Sequence, residues 1–261
     1  MFIEELFIYP IKGCAGIPMD QVSLNEYGLV NDRRYLVVDS SNRFYSQRNK
    51  PMMSKIRPIL HDKGLTLHYP DFSELTISDN ISHSERKVTI WEDEVMADDM
   101  GDEAAAWFSS ILGSPARLVR IGSNYDRKVR VGDQVLSSQV HFGDSQPLLL
   151  ISRASLDNLN SRLSEPLGMD RFRPNIVISG VEAHDEDHFS EIVTATLKLQ
   201  FAKKCARCTV VTIDQQTGIS SPEPLRTLTS YRKEGTKVFF GAYYLAPAIG
   251  SLKVGEQIWV R

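Results

Sequence analysis

Cysteine is scarce: three residues among 261, an odd number in a long chain. That excludes a disulfide framework and predicts reduced thiols in a cytoplasmic protein. A secretory leader is also missing, because the opening run MFIEELFIYPIKG carries acidic residues where a basic region should precede an unbroken apolar stretch. No stretch approaches the roughly 20 apolar residues of a spanning helix, and no lipid-anchor signal is visible. Charge of one sign is not in excess either: the formal net charge is −3, so neither nucleic acid nor a membrane surface is implied as a partner. Internal repeats and low-complexity tracts are lacking. Alternating βαβ units with a glycine-rich phosphate loop are lacking too, which argues against a Rossmann enzyme.

What is present reads as an ordinary globular chain, 42% hydrophobic and 24% charged. Its length implies one large domain or two intimately packed ones. Residues 2–10, 22–24, 34–40 and 65–68 are apolar or alternating and are separated by turn residues such as Gly28, Asn31 and Gly64, which predicts strands. Between 99 and 112 the residues Ala105, Trp107, Phe108, Ile111 and Leu112 recur at helical spacing before Gly113, a helix with a stop signal. The polar segment 125–144 reads as a domain junction. After the apolar run 147–151, Ser152 and Ser155 offer N-caps to a helix carrying Leu156, Leu159 and Leu163. Strands are then expected at 175–179, 195–201, 209–214, 238–245 and 257–260, forming a second β-rich unit, a barrel being the economical form.

The densest chemistry lies at Cys205-Ala-Arg-Cys208, two thiols with Lys203, Lys204 and Arg207 beside them. Neighbouring cations favour thiolate, the form that ligates soft metals or enters redox exchange. By spacing alone a lone CxxC is structural, redox or metal-binding; no second CxxC or CxxH completes a zinc set. Disulfide exchange would want the pair at a helix start, whereas the run from Thr209 to Ile213 reads as a strand. That leaves an exposed thiolate ligand at a strand edge as the better reading. His184 and His188 flank Asp185, Glu186 and Asp187; a cation site is conceivable on a helix, but a solvated acidic connection is the reading Gly180 and the flanking strands favour. Arg33 with Arg34, Arg171 with Arg173, and Arg226 with Arg232 are separate basic spots, each an ordinary surface charge or a fork suited to phosphate.

Several of these segments together resemble the MOSC family, named for the C-terminal domain of molybdenum-cofactor sulfurase. Arg171-Phe-Arg-Pro-Asn-Ile-Val-Ile-Ser-Gly180 resembles its FRPN-(I/V)-V-(I/V)-SG segment, and Cys205-Ala-Arg-Cys208-Thr its CSRC-x-x-T segment. Asp214-Gln-Gln-Thr-Gly218, Glu223-Pro-Leu225 and Leu228-Thr-Ser-Tyr-Arg232 resemble D-P-x-T-G, EPL and L-x-S-(Y/F)-R. Tyr9-Pro-Ile-Lys12 and Asp32-Arg33 resemble segments of the β-barrel domain that precedes MOSC. The likeness spans nearly the whole chain. It implies a mainly β fold with some α, an N-terminal β-barrel-like domain over residues 1–122 packed on a MOSC β-barrel domain over 123–261.

The resemblance is strongest to amidoxime-reducing components and their bacterial counterparts. It implies a molybdenum-cofactor-dependent oxidoreductase that reduces small N-hydroxylated compounds and draws electrons from a separate flavin, haem or iron–sulfur donor protein. It makes Cys208 the molybdenum ligand, with Asp144 assisting proton delivery. It places Lys12, Gly13, Arg33, Asp144, Ser145, Arg173, Asn175, Ala206 and Cys208 around the cofactor. Gly13 and Ala206 stand where relatives carry serine, so hydroxyl contacts are replaced by backbone ones at both. Cys14 and Cys205 have no ligand role in the family and read as structural. The same resemblance also admits a non-catalytic reading, a cofactor-binding or sulfur-carrier protein with a persulfide on the reactive cysteine.

Overall fold

The computed structural model describes residues 1–79, 84–131 and 134–261. It is mostly β, as expected, with three α-helices among the described residues. The largest sheet runs Ile17–Met19, Phe2–Ile8, Ile176–Ser179, Leu148–Ser152, Lys237–Leu245, Lys198–Ala206, Glu191–Val193 and Trp259–Val260, with Lys233–Glu234 paired at its side. Every residue of its central Leu148–Ser152 strand is buried. That explains why this strand reads as a continuous apolar run instead of an alternation.

Two strands of this sheet come from the beginning of the chain, Phe2–Ile8 lying antiparallel to Ile176–Ser179. In return, Gly250–Lys253 pairs with Gln21–Asn25. Strands from the first 25 residues therefore pair with strands of the C-terminal half. Leu148–Ser152 and Ile176–Ser179 run parallel, joined through the helix Arg153–Asn160. One βαβ crossover thus exists where none was expected, because a single unit without a glycine-rich loop leaves no repeating pattern to read. The Ser152 hydroxyl caps this helix, accepting from the Ser155 amide at 3.1 Å.

The rest of the N-terminal half forms a four-stranded sheet in the order Tyr35–Val38, Arg117–Arg120, Asp93–Asp99, Glu85–Ile90, and a three-stranded sheet of Arg57–His61, Gly64–His68 and Leu75–Ser78. Helix α1, Asp102–Leu112, packs Ala104, Phe108, Ile111 and Leu112 inward and ends at Gly113, whose φ of 60° is the left-handed cap expected there. No helix among the described residues is long and apolar enough to cross a membrane.

Two local expectations are corrected. Thr209–Thr212 is one turn of 3₁₀ helix, not a strand. The β-branched run suggested extension, but the Thr212 hydroxyl donates to the Thr209 carbonyl at 2.7 Å and curls the backbone. The strand before it runs on instead through Ala206, which carries the cysteine pair to the sheet's end.

The connection around His184 is not a solvated acidic loop: Glu186 and Asp187 are buried. Glu186 accepts from the Ser155 hydroxyl at 2.7 Å and the Ser152 amide at 3.2 Å, and Asp187 pairs with Arg232. His184 packs against Tyr231 and Phe240 with neither ring nitrogen hydrogen-bonded. Burial, reinforced by Arg232 and Arg162, pushes its pKa down to about 4. A histidine depressed in the folded state subtracts stability as pH falls below its ordinary value near 6.5, and the loss levels off near 4. His184→Phe should therefore shrink the fall in melting temperature between pH 7 and pH 4.5. An unchanged acid limb would mean that this imidazole does not titrate against the fold.

Candidate functional site

A cleft of about 1040 Å³, counting its open mouth, is lined by residues from both halves of the chain. The Lys198–Ala206 strand brings the cysteine pair to it and then ends, which makes the two sulfurs unequal. Cys205 is still in the sheet, 2% exposed, and its Sγ accepts from Arg207 Nη1 at 2.9 Å. Cys208 lies beyond the strand, exposed, at the start of the 3₁₀ turn. Arg207 is held by its second nitrogen on the Phe172 carbonyl, while its Nε is buried without a partner. Only one thiol is therefore available to an incoming group.

The same cleft is lined by a polar knot built on Asp32. Its carboxylate accepts from the Tyr9 amide at 2.8 Å, Arg33 Nη1 at 2.6 Å and Asn175 Nδ2 at 3.1 Å. Asn175 uses its whole capacity: Oδ1 accepts from Arg33 at 3.0 Å and the Leu149 amide at 3.2 Å, and Nδ2 donates to Asp32 and to the Phe7 carbonyl at 3.2 Å. This amide joins the first strand, the central strand and Arg33. The Tyr9 ring sits between two guanidinium groups, Arg33 and Arg173, each carbon 4.3 Å from its centroid. Both arginines have left-handed backbones, φ 48° and 56°, a strain of about 1–3 kcal/mol each that the surrounding contacts must offset.

Arg173 is the unbalanced charge. Among the described residues no carboxylate lies within ion-pairing distance of it; its one side-chain bond is a long one, 3.4 Å, to Gln215 Oε1. Burial lowers its pKa, and Arg33 adds to the effect. A partly buried guanidinium near a second one is a poor arrangement in isolation and a good one around an anion.

Lys12 completes the cation set. It is buried, ion-paired with the half-exposed Asp144, and sits 5.4 Å from the Phe44 centroid. Burial lowers the Lys12 pKa against the pull of Asp144. For Asp144, burial is outweighed by Lys12, with help from Arg33 and Arg48, and its pKa falls to about 2. The Lys12 ion pair thus favours the carboxylate form of Asp144, which can accept a hydrogen bond or a proton. Gly13 follows with φ of 86°, and a Cβ there would meet Met53 Cε at 3.0 Å. A serine at this position would be strained here. The Gly13 carbonyl is instead fixed by Gln47 Nε2 at 2.8 Å, and Gln47 and Gln215 exchange amide hydrogen bonds of 2.9 and 3.0 Å across the two halves.

Lys12, Gly13, Arg33, Asp144, Arg173, Asn175, Ala206 and Cys208 all line this one cleft. Ser145 does not; it faces an open basin beside the mouth. The sequence assigns no site role to Tyr9, Gln47, Gln215 or the neutral His141, whose pKa burial pushes down to about 4, and gives Arg207 only the role of a cation beside the thiols. Tyr9 and Arg207 sit inside motifs already quoted, whereas the glutamines and His141 carry no sequence signal. Among the described residues no group of three or more histidines, cysteines or acids is placed to hold a metal.

The architecture and the cleft define a class: two β units whose residues line a cationic cavity with one exposed cysteine. Residues 1–115 match the MOSC N-terminal beta barrel domain and residues 137–259 match the MOSC domain. Mitochondrial amidoxime reducing component 2 of Homo sapiens is 34% identical over 98% of this chain and 82% of its own length, and that of Bos taurus 33% over the same shares. Molybdenum cofactor sulfurase of Danio rerio is 30% identical over 92% of this chain but only 31% of its own. The chain belongs to the MOSC family.

Proposed function

We propose that the protein is a molybdenum-cofactor-dependent reductase of N-hydroxylated compounds, with Cys208 as the one protein ligand of the metal. The observation that carries this reading is the pairing of a single exposed thiol with buried cations that lack their full complement of acids. The residues fit the group. A pterin dithiolene brings two soft sulfurs, so the protein need supply only one more, and the anionic end of the cofactor answers Arg33, Arg173 and Lys12. When bound, the cofactor supplies the two-electron chemistry that breaks an N–O bond.

The chain's own residues bind and orient. Tyr9 and Asn175 hold Arg33 and Arg173 in place before any ligand arrives. Asp144 fixes the Lys12 ammonium and accepts a hydrogen bond from the substrate's N–OH. Conversion of N–OH to N–H consumes two electrons and two protons and releases water. The protons come from solvent through the open mouth, where the half-exposed Asp144 stands. A separate donor protein of flavin, haem or iron–sulfur type returns the electrons.

The sulfur-carrier reading calls for a persulfide and no pterin. Elemental and pterin analysis of natively expressed protein, with mass spectrometry in the absence of added thiol, separates the two. One molybdenum and one pterin per chain with unmodified Cys208 is the expected result. A Cys208 persulfide without pterin would establish the carrier instead.

A further inference from the structure

Beside the cleft mouth lies an open basin that shares Phe44, Arg48, Trp91, Val140 and Asp144 with it and adds Arg43 and Lys203. The charged residues lining it are mostly cations, with Glu92, Asp93 and Asp144 as the acids. Arg127 and Arg130 share Asp93, and Lys128 pairs with Asp126. Arg43, Arg48 and Lys203, by contrast, have no ion-pair partner among the described residues, the influence of Arg48 on the Lys12-bound Asp144 being its one link to an acid. Lys203 is half-buried, and burial, with Lys237 nearby, lowers its pKa. A partly desolvated cation without a counter-ion is costly unless an anion visits it.

The other wall is aromatic. Trp91 sits at the turn between the Glu85–Ile90 and Asp93–Asp99 strands with φ of 56°, a conformation that a bulky residue rarely adopts. Held there, its ring is 38% exposed, lies 5.0 Å from that of Phe44, and carries the Arg48 guanidinium 4.6 Å from its centroid. A guanidinium laid on an indole keeps its N–H edge free for a carboxylate. Two tilted aromatic rings and two cations without ion-pair partners thus line the same entrance, outside the residues assigned to the cofactor's anionic end.

We propose that this basin selects N-hydroxylated substrates with a planar body and an anionic substituent, the plane against Trp91 and the anion drawn to Arg48 and Lys203. The inference rests on the reductase reading for the reacting group, but the binding preference stands on the basin alone. The test compares benzamidoxime with 4-carboxybenzamidoxime on the cofactor-loaded protein, measuring Kd by calorimetry and kcat/KM with reduced methyl viologen as donor. The carboxylate compound should bind about tenfold more tightly, and Arg48→Gln should remove most of that ratio, as should Lys203→Gln. Equal Kd values for the two compounds, or a ratio untouched in both variants, would overturn the proposal. A binding preference without turnover of either compound would remove the reductase reading and keep the anion site; turnover of both without preference would do the reverse. Arg48 is exposed, so its variant should fold normally, and a thermal melt verifies this.

Discussion

Cys208→Ser should lose its molybdenum and reduce amidoxime no faster than background, while melting within about 2 °C of the wild type. Serine keeps the shape but replaces a soft thiolate by a hard, weakly acidic hydroxyl, and because Cys208 is exposed nothing in the core depends on it. Cys205→Ser is the companion. The hydroxyl can still accept from Arg207, so this variant should retain metal and activity with a small loss of stability. Molybdenum content, amidoxime turnover and a melt on both variants decide the matter. Equal loss of activity in the two, with unchanged melting, would show that both sulfurs act together and would defeat the single-ligand assignment.

Asn175→Leu should have the largest effect on stability of any substitution in the cleft, about 3–5 kcal/mol, because it removes four hydrogen bonds in a buried setting. The Leu149 amide and the Phe7 carbonyl lose partners that no neighbouring side chain replaces, each orphan costing about 1–3 kcal/mol before relaxation. Arg33 and Asp32 lose their shared anchor as well. Chemical denaturation should show the loss, and cofactor retention should fall with it because Arg33 is freed to move. Normal stability combined with loss of cofactor would mean that the amide contacts the cofactor directly and that the knot around Asp32 does not need it.

The contrast between these residues shows what the sequence could disclose. Cys208, Arg33, Arg173 and Lys12 were legible because they sit in motifs whose order and spacing are distinctive, and the Ser152 cap was legible because capping is local. The role of Asn175 was half legible: the motif marks the position, but only the fold shows its amide saturated by backbone from two distant strands. Gln47 and Gln215 are 168 residues apart in the chain and gave no hint of each other. The strands Glu85–Ile90 and Asp93–Asp99 were overlooked because their outward positions are crowded with charge; their inward residues, Val88, Ile90, Val95 and Ala97, alternate and are buried. Around Glu186, an acidic run looked solvated because burial of a carboxylate depends on partners, here Ser152 and Ser155, that a local reading cannot assemble.

The most direct test is turnover at known occupancy. Protein expressed with cofactor, its molybdenum content measured on the same sample, is supplied with benzamidoxime and a chemical reductant, and benzamidine is quantified. Benzamidine should form catalytically, two electrons consumed per molecule, at a rate proportional to molybdenum content across preparations. No benzamidine from protein carrying one molybdenum per chain would contradict the assignment of a reductase.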